Sequence, residues 1–391
     1  MRIRELAEKY KDYVVERRRF YHGIPELSLQ EYETTKNLVK DLKEMGVDEV
    51  ITFPDYQGCI GIIKGAKPGK TVMLRADIDA LPVEEKTGKP YASTNGNMHA
   101  CGHDTHMAMQ LGAAKILVDL KDELEGNVKL LFQSGEEVGY GAKYYVENGY
   151  LDDVDAVYGV HIWSDLEAGK FSLEAGERMA SCDSFKITVE GVSAHGSAPH
   201  LGKDAVVAAA AIIMNLQTFV SRINNPLKPA VLTIGTINGG QRFNIIANKV
   251  EMEGTTRVFS REVRAILETE MRNIIENTGR ALGVNASLEY NYVTNPIINE
   301  HDELNELAQN AAVKLFGEGS LAKMEKLLGA EDFCFLMDKV PGFYGFVGCY
   351  NEEKGTIYNN HNDKFDVDES TLYMGSALAA QFAYDFLKNK K

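Results

Sequence analysis

Cysteine is scarce in this chain, with five residues in 391 (Cys59, Cys101, Cys182, Cys334 and Cys349). The number is odd and the spacing scattered, which excludes a disulfide framework. Any cysteine with a special task is therefore expected to be catalytic or metal-binding. Proline is also sparse, at ten residues, and no repeat or low-complexity tract interrupts the pattern. No segment reaches the roughly 20 apolar residues that span a bilayer. The first residues, MRIRELAEKYKDYVVERRRFY, read as a charged amphipathic helix and lack the apolar core of a signal peptide. The expectation is a cytoplasmic protein. Basic charge is in deficit: 42 Lys+Arg against 57 Asp+Glu, a formal charge of −15. That balance excludes nucleic acid or an anionic membrane surface as the main partner.

What is present is a globular composition, 44% hydrophobic and 25% charged, long enough for one large or two ordinary domains. Apolar strand-like runs (CIGII, TVMLR, VKLLFQ, AVYGV) alternate with helical patterns. This order predicts an α/β fold with a mostly parallel or mixed sheet covered by helices. The stretch from Ser184 to Asn295 reads differently, as β-α-β-β-α-β, the split βαβ order of a ferredoxin-like α+β domain. The expected division is a discontinuous catalytic domain, 1–183 and 296–391, interrupted by an inserted domain, 184–295. The last part is expected to hold a helix at Glu303–Phe316, glycine-rich turns and a closing helix from Ser370. The insert carries 11 basic and 9 acidic residues, so the whole acidic excess, −17, belongs to the remainder.

The histidines are not spread evenly. Six of nine fall between His99 and His200. In MHACGHDTHMAM, Cys101 and His103 flank a glycine just before a helix, so both can turn toward one ion. The pair also reads as a buried cysteine beside a capping Asp104. In QSGEE, after the strand VKLLFQ, neighbouring side chains point opposite ways. One of Glu136 and Glu137 can then hold a metal while the other works as general base, or both are solvated. His161 ends the apolar strand AVYGV and is either a ligand or a satisfied core histidine. Asp77 and Asp79 follow TVMLR as candidate acids, caps or turn residues. Asn359 to Asp363 form a polar loop around His361. These motifs share one location, the ends of strands in an α/β sheet, where such folds place their sites.

Together LRADIDALP, MHACGHDTHM, LLFQSGEE, VYGVHIW, SAHGSAPHLGKD, GAEDF and HNDKFDVDE resemble the M20 family of metallopeptidases. The set is most similar to its amidohydrolase branch, the aminoacylases, hippurate hydrolases and auxin-conjugate hydrolases. RRRFYHGIPELSLQEYETT also resembles that branch's N-terminal signature. The resemblance covers nearly the whole chain. It implies a metal-binding catalytic domain with an inserted lid and dimerisation domain, hence a homo-oligomer. It also implies two divalent ions (zinc, manganese, cobalt or nickel) on Cys101, His103, Glu137, His161 and His361. Cys101 stands where other members carry a bridging aspartate. Arg75 stands where they carry a histidine ligand, leaving Asp77 as an orienting acid. Glu136 is implied as general base, His195 as oxyanion stabiliser, and Asn244 and Arg257 as substrate-binding residues, with His200 and Glu331 in support. The implied substrate is a small N-acyl-amino acid. The alternative is a dipeptide or a peptide cut by a carboxypeptidase on the same scaffold.

Overall fold

The computed structural model describes residues 2–389. It divides into two compact units: Met1–Arg178, Ile298–Glu325 and Asp332–Lys391 form the first, and Met179–Ile297 with Lys326–Glu331 the second. Relative to the division expected from sequence, the second unit starts five residues earlier, ends two later and also takes Lys326–Glu331.

The first unit is built on a mixed seven-stranded sheet. In spatial order the strands are Glu49–Phe53, Tyr56–Lys64, Glu125–Gln133, Lys67–Asp77, Ala156–Glu167, Gly342–Tyr350 and Phe171–Ser172. The four central strands run parallel, and antiparallel strands flank them on both sides. Register sets Asp77 opposite Gln133, and His161 opposite Phe346. The carboxyl ends of Lys67–Asp77 and Glu125–Gln133 therefore finish side by side, within the motifs RADID and QSGEE.

Gly342–Tyr350 corrects the expectation of glycine-rich turns in this region. The run GFYGFVGCY is buried along nearly its whole length and shows no two-residue alternation. Its glycines are required by close packing: a Cβ on Gly348 would lie 2.0 Å from the Glu167 carbonyl oxygen, and one on Gly345 2.7 Å from Leu173. The N-terminal segment also differs from the single helix expected, forming two, Arg2–Lys9 and Lys11–His22.

The helix His103–Asp119 is buried on almost every face and packs against Lys11–His22 and the closing helix Leu372–Lys388. Arg18 fixes this junction. It is 1% exposed, and its guanidinium meets Asp104 at 2.9 Å, Asp366 at 3.0 Å and Glu369 at 3.1 Å. Burial works against the Asp104 charge, yet Arg18 and His22 hold its carboxyl well below the usual range. Removing the guanidinium strands these carboxylates in the interior. Arg18→Ala is therefore expected to cost about 3–5 kcal/mol, the typical penalty for breaking a buried ion pair, read by urea denaturation.

The second unit holds an antiparallel four-stranded sheet in the order Asn285–Thr294, Cys182–Glu190, Lys249–Val258, Ala230–Gly239. Cys182–Glu190 alternates strictly, burying Asp183, Phe185, Ile187 and Val189. Those apolar side chains meet Ala208, Ile212 and Leu216 of the helix Ala205–Thr218 and Leu267, Met271 and Ile275 of the helix Arg261–Ala281. Element order here is β-α-β-β-α-β. Ala205–Ile223 is apolar and long enough by composition to suggest a membrane span. Its inner residues are committed to this sheet instead, and Asp204 caps its start.

Candidate metal centre

Gly102 sits at φ +92°, a left-handed conformation favouring glycine, immediately before the helix His103–Asp119. A Cβ there would come within 2.4 Å of the Ile162 side chain. The turn thus delivers Cys101 and His103 against the strand that carries His161. The Cys101 Sγ lies 3.3 Å from His161 Nε2 and 3.2 Å from His361 Nε2. His361 Nε2 lies 3.7 Å from Glu137 Oε1, and His103 Nε2 lies 4.0 Å from the same oxygen.

Two donor sets result, and they share one atom. Cys101, His103 and His161 form the first; Cys101, Glu137 and His361 form the second, with the donor atoms of each within 4.8 Å of one another. The five residues singled out as metal ligands in the sequence therefore converge on one place. Glu136 lies beside them, its Oε2 3.9 Å from His103 Nε2; it groups with His103 and Glu137, and with Glu331 and Asp332, but not with Cys101.

The ring orientations leave the right nitrogens available. His161 Nδ1 donates to the Ile162 carbonyl at 2.6 Å, and His103 Nδ1 to the Asp79 carbonyl at 2.9 Å. With Nδ1 so engaged, Nε2 is the nitrogen each ring would offer to a metal, and it faces the cluster. His103 Nε2 and Glu137 Oε1 are buried without a hydrogen-bond partner. Buried polar atoms left without a hydrogen bond in this way are costly unless a metal ion or another partner satisfies them.

Electrostatics point the same way. Burial disfavours a charged His103, yet Asp77, Asp79 and Glu137 outweigh it and lift the imidazole to about 10. Burial, then Glu137, Glu136 and Asp77, push the Cys101 thiol well above its ordinary value. Burial also raises Glu137 to about 7, against the pull of His103. The cluster is buried at Cys101, His103 and His161 and open at His361, and its carboxylates favour positive charge. A divalent ion supplies that charge and lets the thiolate and carboxylate exist together. Thiolate, imidazole and carboxylate donors suit zinc, cobalt, nickel or manganese better than calcium.

The supporting residues are only partly those expected. Asp77 binds His106 Nδ1 and accepts from Arg75 at 2.7 Å, while the carboxylate on His103 Nδ1 is that of Asp79, at 3.2 Å. Arg75 is buried and also donates to Gln133 and Asp332, at 2.8 and 3.0 Å. His106 Nε2 accepts from the Ile162 amide at 2.8 Å, so this ring ties Asp77 to the His161 strand. Spacing was a usable signal here, since His103 and His106 stand i, i+3 on one helix face. Asn360 donates to the Cys101 carbonyl at 3.0 Å and accepts from the Ser164 amide at 3.2 Å. It anchors the loop in which His361 adopts φ +69°. The Ser134–Gly135 turn rests on Glu31, which accepts from Ser134 Oγ at 2.6 Å and the Gly135 amide at 3.0 Å.

His195, Asn244 and Arg257 belong to the second unit. His195 pairs with Ile245 as a β-bridge, and the Gly196 amide donates to the Asn244 carbonyl at 2.8 Å, so His195 and Asn244 are neighbours. The Ser197 amide donates to His195 Nδ1 at 3.1 Å, which leaves the proton on Nε2. Arg257 lies on the strand Lys249–Val258 and donates to the Thr256 carbonyl at 3.0 Å.

The chain is similar to known proteins over nearly its whole length. The chain is 39% identical to "Thermostable carboxypeptidase 2" of Saccharolobus solfataricus over 390 residues, covering 98% of each. It is also 39% identical to the N-acetyl-L-cysteine deacetylase of Bacillus subtilis, over 95% of this chain and 86% of that one. A crystal structure of a dinuclear metal binding peptidase from Bacillus subtilis superposes with a TM-score of 0.87 at 33% identity, over 97% of this chain and 99% of that one. The description "Peptidase family M20/M25/M40" matches residues 73–385. The chain belongs to that family, on its amidohydrolase branch.

Proposed function

We infer that this hydrolase of amide bonds is a binuclear N-acyl-amino acid amidohydrolase. The observation that carries the reading is the single thiolate shared by two three-donor sets. Cys101, His103 and His161 would hold one divalent ion, and Cys101, Glu137 and His361 the other. When bound, such a pair polarises an amide carbonyl and lowers the pKa of a water. Glu136 is the general base: its carboxylate would take a proton from the attacking water and pass it to the leaving amine. Asp77 and Arg75 keep the underlying carboxylate and guanidinium network fixed. His195, with its proton on Nε2, is assigned to stabilising the oxyanion by hydrogen bonding. Asn244 and Arg257 are assigned to binding the substrate. Self-association through the second unit is part of this reading. Supporting it are the exposed apolar Val206, Val207 and Met214 and the Ala230–Gly239 strand at the end of its sheet, with Ile237 exposed.

A carboxypeptidase named among the relatives favours one second reading, cleavage of unblocked peptides. The two readings differ in the group accepted on the acyl side. A panel of N-acetyl and N-benzoyl amino acids beside unblocked dipeptides, on protein loaded separately with zinc, manganese, cobalt and nickel, separates them. The expected result is turnover of the blocked amino acids, with kcat/KM at least tenfold above that of the dipeptides. Turnover of the dipeptides alone would transfer the assignment to the peptidase reading.

A further inference from the structure

Asp79 is buried, at 1% exposed, and lies two residues beyond the acid that the family motif singles out. Its carboxylate is shared between two tasks. Oδ1 lies 3.2 Å from His103 Nδ1, beside the residue's own carbonyl oxygen at 2.9 Å. Oδ2 accepts from the Glu137 amide at 2.9 Å and from Ser28 Oγ at 2.7 Å. His103 belongs to one donor set and Glu137 to the other.

We propose that Asp79 is a positioning residue that couples the two metal positions, one carboxylate holding a donor of each. The proposal rests on the metal-site reading above. The physical reason is rigidity. A ring held through Nδ1 and a backbone held through N–H on one carboxylate cannot shift independently, so misplacing either donor misplaces the other. Partners one bond removed from a metal ligand commonly govern its affinity by 10–100-fold. Cys101 joins the two sets through the donor itself. Asp79 joins them from behind, through the protein. The segment that carries Ser28 takes part as well: Leu27 bridges to Ala80, and the Ala80 amide donates to the Glu26 carbonyl at 2.8 Å. The Ser28 hydroxyl therefore selects the Asp79 rotamer from a strand-like contact already in place.

The test uses the full chain stripped of metal and titrated with cobalt(II), with affinities read by calorimetry and ligand field by visible absorption. Asp79→Asn preserves shape but presents an amide NH2 to one of two N–H donors. The expected result is a loss of affinity of about tenfold or more at both positions, with an altered d–d spectrum. Ser28→Ala leaves both donors' own contacts with Asp79 intact and frees only the rotamer. It is expected to weaken both ions about threefold or more, and it decides the matter alone should Asp79→Asn not fold. Wild-type affinities and spectra in both variants, or weakening confined to one ion, would overturn the coupling. Failure of the wild-type chain to bind two ions would instead remove the metal-site reading on which it rests.

Discussion

Glu136→Gln is expected to lower kcat by about 10²–10⁴-fold, the usual range for a lost general base, while both metals stay bound. Two observations motivate the split. Glu137 Oε1 points among His361, Cys101 and His103, whereas Glu136 joins no set that includes Cys101. Glu136 is nonetheless 8% exposed, with its carboxylate 3.9 Å from His103. It groups with His103 and Glu137, and separately with Glu331 and Asp332, but with neither Cys101 nor His361. The substitution keeps the size and the hydrogen-bonding oxygen but removes the proton acceptor. Because the change acts on the chemical step, KM should move little. Metal analysis on the same preparation checks the assignment. Loss of metal together with activity would make Glu136 a ligand and return the base to another group.

Cys101→Ala should have the larger effect on metal. The thiolate is the one donor common to both sets, so its removal leaves each with two of its three protein donors. Affinity at both positions is expected to fall by at least about 100-fold, the upper end of what loss of an outer partner costs. Cys59→Ala is the control. That thiol is fully buried in the strand Tyr56–Lys64, with burial alone raising its pKa, and its loss should leave metal content unchanged. Retention of both ions in Cys101→Ala would show that the shared donor is not the thiolate.

The candidate donors were legible because each announces itself by residue type. A Cys-Gly-His turn, a Glu-Glu pair after an apolar strand and a histidine closing another strand all break the local pattern. The structure brings these separate breaks together because the parallel strands carry them to one edge. The supporting acids were harder to read. Asp77 and Asp79 are chemically identical two positions apart, and only the approach of the His103 helix decides which one meets Nδ1. Asn360 looked like any polar loop residue, and its hydrogen bonds to Cys101 and Ser164 depend on segments nearly 200 or more positions away. Glu31 is equally silent in sequence, since its partners are the backbone and hydroxyl of the Ser134 turn. In the fold, Gly342–Tyr350 escaped because a strand buried on both faces loses the alternation by which strands are recognised, and its glycines mimic a turn. The second unit was readable for the opposite reason: Cys182–Glu190 packs one face only and alternates cleanly.

On the proposed reading one thiolate serves two ions. Titration of the metal-free wild-type chain with cobalt(II), followed at the thiolate-to-cobalt charge-transfer band, tests it directly. The band is expected to grow through two equivalents per chain, because Cys101 belongs to both donor sets. A band that saturates at one equivalent, or its absence while cobalt binds, would contradict it.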